Sequence, residues 1–215
     1  TMLKEVFTDV DIYDDYIRLL QYQFVSPIGQ TAISFYHFYI EDTTYVDKDK
    51  CYHLQFIPAN QQDFGFRGEL YVLADSTLHV RKVNLYMPKK SDVNWIDDMR
   101  IEQEYTKLSN GEWVLTRDDM AAEVHATKLL QNLLVVRTTR LSDYAFSPLP
   151  KQLFWGKAKV KHDADAFNRG EDFWNSYRQV KLSKSESSMD QFIKRMENSK
   201  GWKYIIKGVQ LMVEN

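Results

Sequence analysis

A chain of 215 residues, 44% of them apolar, has the material for one β-rich domain with an appendage or for two small domains, and at this size typically buries about 70% of its unfolded surface. The net charge of −2 argues against a general nucleic-acid binder, and the single cysteine, Cys51, excludes an intrachain disulfide and any Cys-x-x-Cys metal or redox motif. No run approaches the ~18 apolar residues of a transmembrane helix, and the opening residues lack the basic-then-apolar pattern of a signal peptide.

In chain order, Ile12, Tyr13, Tyr16, Ile17, Leu19 and Leu20 recur near helical spacing, which predicts one short N-terminal helix stopped before Ser26-Pro27-Ile28-Gly29. Residues 32–46, rich in Tyr, Phe, Ile and Thr, read as strand. Residues 50–58 alternate, with Tyr52, Leu54 and Phe56 on one face and Cys51, His53 and Gln55 on the other. A polar loop at 60–63 precedes a strand over 66–73 that puts Leu70 and Val72 on one face. In the next strand, 78–86, the apolar parity slips from Leu78 and Val80 to Val83 and Leu85, the mark of a bulge and hence of a curved sheet. Residues 99–105 alternate strictly, and Asn110-Gly111 is a hairpin turn leading into a strand over 113–116. Further strands are expected at 122–126 and 133–141. Parallel pairing needs a crossover of a dozen or more residues between strands, and these roughly eight strands lie at hairpin spacing. The fold class is therefore α+β, mainly β: a strongly curved antiparallel sheet, an incomplete barrel, with packed helices and a helical tail.

After Ser147-Pro148-Leu149-Pro150 the character changes. Residues 154–160 read as one more strand, 172–178 as a helical turn or two, and Ser183 with Glu186 as a capping box opening a helix that ends near Gly201. A second amphipathic helix is expected from Trp202 to the end. There are 15 basic and 22 acidic residues before position 150, against 13 and 8 from there on. The domain reading is a β domain over 1–161 with an N-terminal helix, and a basic helical segment over 162–215. A basic tail on an acidic body marks either a partner or membrane-facing surface or a solvated helix face.

The chemistry-bearing residues show little convergence. His37, His53, His79, His125 and His162 form no HxH or HxxxH pair, and no carboxylate or cysteine keeps ligand spacing with them. Asp14-Asp15, Asp97-Asp98 and Asp118-Asp119 are adjacent pairs. Neighbours in a strand point to opposite faces, so such pairs do not meet at one bond, and the last two are expected near strand ends in solvent. Glu102 and Glu104 share a face with Arg100, the pattern of cross-strand ion pairing. No GxSxG, phosphate loop, zinc finger or EF-hand spacing occurs. Cys51, mid-strand with no basic neighbour, reads as a weakly reactive thiol. No catalytic residue, metal site or cofactor is assigned. The apolar faces of Tyr52, Leu54, Phe56, Leu70, Val72, Ile101, Tyr105, Trp113 and Leu115 either line a cavity for an apolar ligand or form a filled core.

Two groups of motifs resemble a known family. They are Ile12-Tyr13-Asp14 with Phe24-Val25-Ser26-Pro27, and the series Tyr52-His53-Leu54-Gln55-Phe56-Ile57-Pro58, Phe66-Arg67-Gly68-Glu69-Leu70-Tyr71-Val72, Asp75-Ser76, Arg100-Ile101-Glu102-Gln103-Glu104-Tyr105 and Trp113. With Phe173-Trp174, Arg178 and Leu182-Ser183-Lys184-Ser185-Glu186, they resemble the middle periplasmic region of an uncharacterised family of Gram-negative outer-membrane proteins. Its members carry a carboxypeptidase-regulatory-like sandwich before that region and a β barrel after it. The strand pattern is also similar to lipoprotein carriers of the LolA type, a curved open sheet closed by helices around an apolar cavity. The resemblance implies a periplasmic, outer-membrane-associated, non-enzymatic binding or scaffolding module. Its expected partners are a lipid, a lipoprotein or an envelope protein, with the basic tail near the membrane. Thr1 then reads as a processed end or an artificial boundary. A carbohydrate-binding module using Trp95, Trp113, Trp155 and Trp174 is the alternative, and a hydrolase with an assembled carboxylate or histidine site a third reading.

Overall fold

The computed structural model describes residues 8–19, 22–60, 63–87, 96–124, 133–148, 151 and 169–180. They belong to two compact units, 1–142 and 143–215. In the first, a hairpin of β1 (Tyr16–Leu19) and β2 (Tyr22–Val25) is followed by one helical turn, α1 (Ala32–Phe35). Seven strands come next: β3 (Tyr36–Val46), β4 (Asp49–Pro58), β5 (Arg67–Leu73), β6 (Val80–Met87), β7 (Ile96–Lys107), β8 (Trp113–Val124) and β9 (Leu133–Arg140). They pair in chain order, each antiparallel to the one before, and the sheet does not close, leaving β3 and β9 as its edges among the described residues. The mainly β, open antiparallel architecture is the expected one. In the second unit the described helix is α2 (Glu171–Tyr177), where a turn or two was expected. Among the described residues no helix is long and apolar enough to cross a membrane.

Several expected elements differ. The N-terminal helix is instead the β1–β2 hairpin. Ile17, Leu19 and Phe24 point inward while Tyr16, Arg18 and Tyr22 face out, a period of two that the apolar run also satisfies. Local bonds oppose a helix here. The Asp11 carboxylate accepts from the Tyr13 N–H at 2.9 Å and the Asp15 carboxylate from the Gln30 N–H at 2.8 Å, the competition by which aspartate favours turns. The strand expected from residue 32 begins only at Tyr36, after α1. The separate strands expected at 113–116 and 122–126 are one, β8, so the main sheet has seven strands among the described residues. The strand at 154–160, the two tail helices and the boundary at 161 lie outside the described residues.

The parity slip in β6 is a bulge. Tyr71 faces Lys82 and Val72 faces Val80, leaving Arg81 unopposed. Further register shifts fall at Ile40/Asp42, Ile96/Asp98 and Glu104/Tyr105, each increasing local twist. Register then sorts the faces. Phe56, Gly68, Leu85, Ile101 and Met120 form one cross-strand row, and Leu54, Leu70, Val83, Gln103 and Asp118 form the next. On the opposite face Gln55, Glu69, Asn84, Glu102 and Asp119 form a polar row. There Glu102 meets Lys82 and Arg117, each at 3.2 Å, the cross-strand pairing expected. Gly68 is needed at its place, because a Cβ there would overlap the Asn84 carbonyl and come within 2.9 Å of the Phe56 ring.

Candidate functional site

All nine residues named from the sequence lie on the inner face. Phe56, Leu70, Ile101 and Tyr105 are buried in the core, Leu54, Val72, Trp113 and Leu115 pack partly against it, and Tyr52 is exposed. Register brings Leu54 opposite Leu70, Tyr52 opposite Val72, and Tyr105 opposite Leu115. What covers them is the chain's own N-terminal segment. Val10, Ile12, Ile17, Leu19 and Phe24 belong to the same core cluster. The Phe24 ring lies 4.6 Å from Phe66, and Tyr13 stands edge-on to Tyr105 at 5.5 Å. Each of the five buried side chains, Val10 to Phe24, contributes about 1.5–3 kcal/mol by leaving water.

A polar knot interrupts this apolar face. The Arg137 guanidinium is paired with the Asp118 carboxylate and donates to the Thr8 carbonyl at 2.9 Å. Gln103 donates to the Val10 carbonyl at 2.7 Å and to Asp118 at 3.3 Å, and accepts from the Tyr105 hydroxyl at 3.0 Å. Asp118 is thus mid-strand and inward, not solvated near a strand end as expected. Burial pushes its carboxyl above the ordinary value despite Arg137. Its neighbour Asp119 faces outward between Arg117 and Arg140, at 2.7 and 2.6 Å. Burial opposes its charge, but those two guanidinium groups outweigh it and hold its carboxyl below the ordinary value. Sequence reasoning missed the knot, because Gln103 lies on the apolar face of 99–105 with no partner visible in its own strand, and Asp118 and Arg137, which complete the knot, come from two other strands.

A second feature lies where three hairpin connections meet. A cleft of about 540 Å³ is lined by Lys48, Asp49 and Lys50 at the β3–β4 turn, by Leu73, Ala74, Asp75 and Thr77 on the way to β6, and by Thr106 to Ser109 with Trp113 around the β7–β8 turn. Gly111 takes φ +93 in that last turn, a conformation glycine adopts without strain. Arg81 ties the β3–β4 side of the cleft to β7. Freed from the ladder by the bulge and buried, it donates to Asp49 at 3.0 Å and to the Tyr105 carbonyl at 2.9 Å, and it pairs with Asp47. Asp75 accepts from the Thr77 N–H at 2.8 Å, the Thr77 hydroxyl at 2.6 Å and the Leu78 N–H at 3.3 Å, and these bonds hold its carboxyl below the ordinary value. The Trp113 indole is half-buried, with the His79 ring 5.5 Å away. The Asn110-Gly111 signal and Trp113 were legible in sequence; the meeting of three turns was not.

Cys51 is fully buried and burial raises its thiol pKa. Among the described residues no group of three or more His, Cys, Asp or Glu side chains could hold a metal ion. A family model described as a family of unknown function (DUF5686) matches residues 2–140, which end where β9 ends and span both sheets. No curated protein and no solved structure matches the chain.

Proposed function

We propose that the chain, which belongs to the DUF5686 family of unknown function, is a non-enzymatic binding or scaffolding module. In this reading it is the periplasmic part of a larger outer-membrane-associated protein and engages another envelope protein. The observation that carries the proposal is the apolar surface left on the open edges of the sheet. On β3, Tyr39, Ile40 and Tyr45 are exposed, Ile40 by 74%, and on β9 Leu134 and Val136 are exposed by about 60%. An edge strand with unpaired backbone groups and exposed apolar side chains is a template for pairing with another chain. The carboxylates of β8 support a binding role over catalysis, since Asp118 and Asp119 are each engaged by arginine. The envelope setting rests on the motif resemblance.

An apolar ligand or lipoprotein acyl chain held on the inner face is the second version of this reading, and it requires the β1–β2 hairpin to move aside. The test is a photo-crosslinking amino acid placed singly at Tyr39, Ile40 and Tyr45 in the protein produced in its own cell, with native mass spectrometry of the unmodified protein. Discrete protein adducts at the edge positions are the expected result. No adduct, together with a lipid mass held natively and released on unfolding, would transfer the proposal to the ligand version. Neither an adduct nor a released mass would overturn both.

A further inference from the structure

We infer that the cleft at the hairpin end is a binding site for an anionic saccharide, a sugar ring bearing a carboxylate or a phosphate. This goes beyond the partner-binding reading and does not depend on it: none of the exposed edge residues lines the cleft, although Tyr45 is the register partner of Lys50.

The lining carries three lysines against two aspartates, an excess of one positive charge, and Asp75 keeps its negative charge because its donors are neutral. Of the two carboxylates lining it, Asp49 is held by Arg81 and Asp75 by three donors of its own turn. Lys48, Lys50 and Lys107 are exposed and make no ion pair among the described residues. Three like charges gathered from two different turns repel one another when the cleft is empty, and an anion relieves that repulsion.

Shape and lining choose the rest of the ligand. At about 540 Å³ the cleft lies within the roughly 300–1,000 Å³ of small-molecule sites, larger than a bare anion needs. Trp113, the first residue of β8 and opposite Lys107 in register, offers an amphipathic ring on which the C–H face of a pyranose packs. Ser109 lines the cleft, and the Thr77 hydroxyl, its proton committed to Asp75, and the Thr106 hydroxyl, bonded to Thr116 at 3.0 Å, keep lone pairs that accept from the sugar's hydroxyls. Arg81 and the bonds of the Asp75 turn fix the connections, so the backbone of the site is preorganised and only the exposed lysine side chains are ordered on binding.

Isothermal titration of the full chain with glucuronic acid, glucose 6-phosphate, glucose, inorganic phosphate and AMP tests the assignment. Both anionic sugars should bind, with affinity falling as salt rises toward about 0.3 M, and glucose and inorganic phosphate should bind roughly tenfold more weakly or not at all. Lys50→Gln and Lys107→Gln, at exposed positions, should each weaken binding severalfold with an unchanged thermal midpoint, and Trp113→Leu should abolish the preference for glucose 6-phosphate over inorganic phosphate. Equal binding of inorganic phosphate, preference for AMP, equal binding of neutral glucose, or no heat with any of the five would each overturn the inference. If Trp113→Leu unfolds the protein, chemical-shift changes of the Trp113 indole N–H on adding glucose 6-phosphate decide the same point.

Discussion

Arg137 and Asp118 stand opposite-charged on neighbouring strands, nearly buried, and the same guanidinium holds the carbonyl of Thr8, 129 residues away in sequence. The pair is therefore a clasp between the far edge of the sheet and the segment that covers its inner face. Arg137→Met should leave the Asp118 charge buried without its counterion, a loss on the order of 3–5 kcal/mol. Urea denaturation measures it. The companion Asp118→Asn, added to Arg137→Met, should recover part of the loss, and a double variant no better than the single one would sink the clasp.

Asp118 and Asp119 should titrate on opposite sides of the ordinary aspartate value, one raised chiefly by burial and the other held down by its two arginines against burial. A raised carboxyl pKa stabilises the fold at pH below the unfolded value near 3.8 and loses that contribution as pH rises through the folded value. A lowered one contributes above 3.8 and is lost as pH falls through the folded value. Carbon-detected carboxyl titration reads both sites, and Asp119→Asn should soften the loss of stability on acidification. The reverse order of titration would refute the assignment of faces.

Arg81 serves Asp47, Asp49 and the Tyr105 carbonyl at once. Arg81→Lys should cost about 2–3 kcal/mol, because a single ammonium cannot match the planar fork, and it should widen the cleft by releasing the β3–β4 turn. Hydrogen exchange at Lys48 and Lys50 tests the second effect: rates matching the parent protein would contradict it.

Phe56→Ala and Tyr52→Ala separate core from surface among residues of one strand face. Phe56 is fully buried against Gly68 and Tyr36 and should cost about 3–5 kcal/mol, whereas exposed Tyr52 should stay within about 0.5 kcal/mol. Gly68→Ala should cost about 1–3 kcal/mol through its clash with the Asn84 backbone. Thermal denaturation of all three provides the check, and equal losses at Phe56 and Tyr52 would mean that the inner face is not packed as described.

Cys51, buried with a raised thiol pKa, should resist iodoacetamide in the folded protein and react on unfolding. Stoichiometric labelling under native conditions would show that strand β4 opens far more readily than its burial implies.

What the chain carries locally was decided by the sequence. Alternation in 50–58, 66–73 and 99–105 specifies β4, β5 and β7, because a pleated strand with one dry face demands period two. The parity slip between Val80 and Val83 marks the bulge at Arg81, and Asn110-Gly111 the β7–β8 turn, because only a few residue types adopt those backbones without strain. Where a short apolar run satisfies two periods, as at Ile12 to Leu19, local pattern is ambiguous, and the sheet beneath decided for a hairpin by offering Phe66, Tyr105 and Leu70 an apolar lid. Tertiary structure alone placed Asp118 inward, since a buried carboxylate is tolerable only beside a cation, and Arg137, two residues along β9 from the register partner Thr139, reaches it diagonally. It alone gathered Lys48, Lys50, Lys107 and Trp113 around one cleft, because a meander returns every second turn to the same end of its sheet.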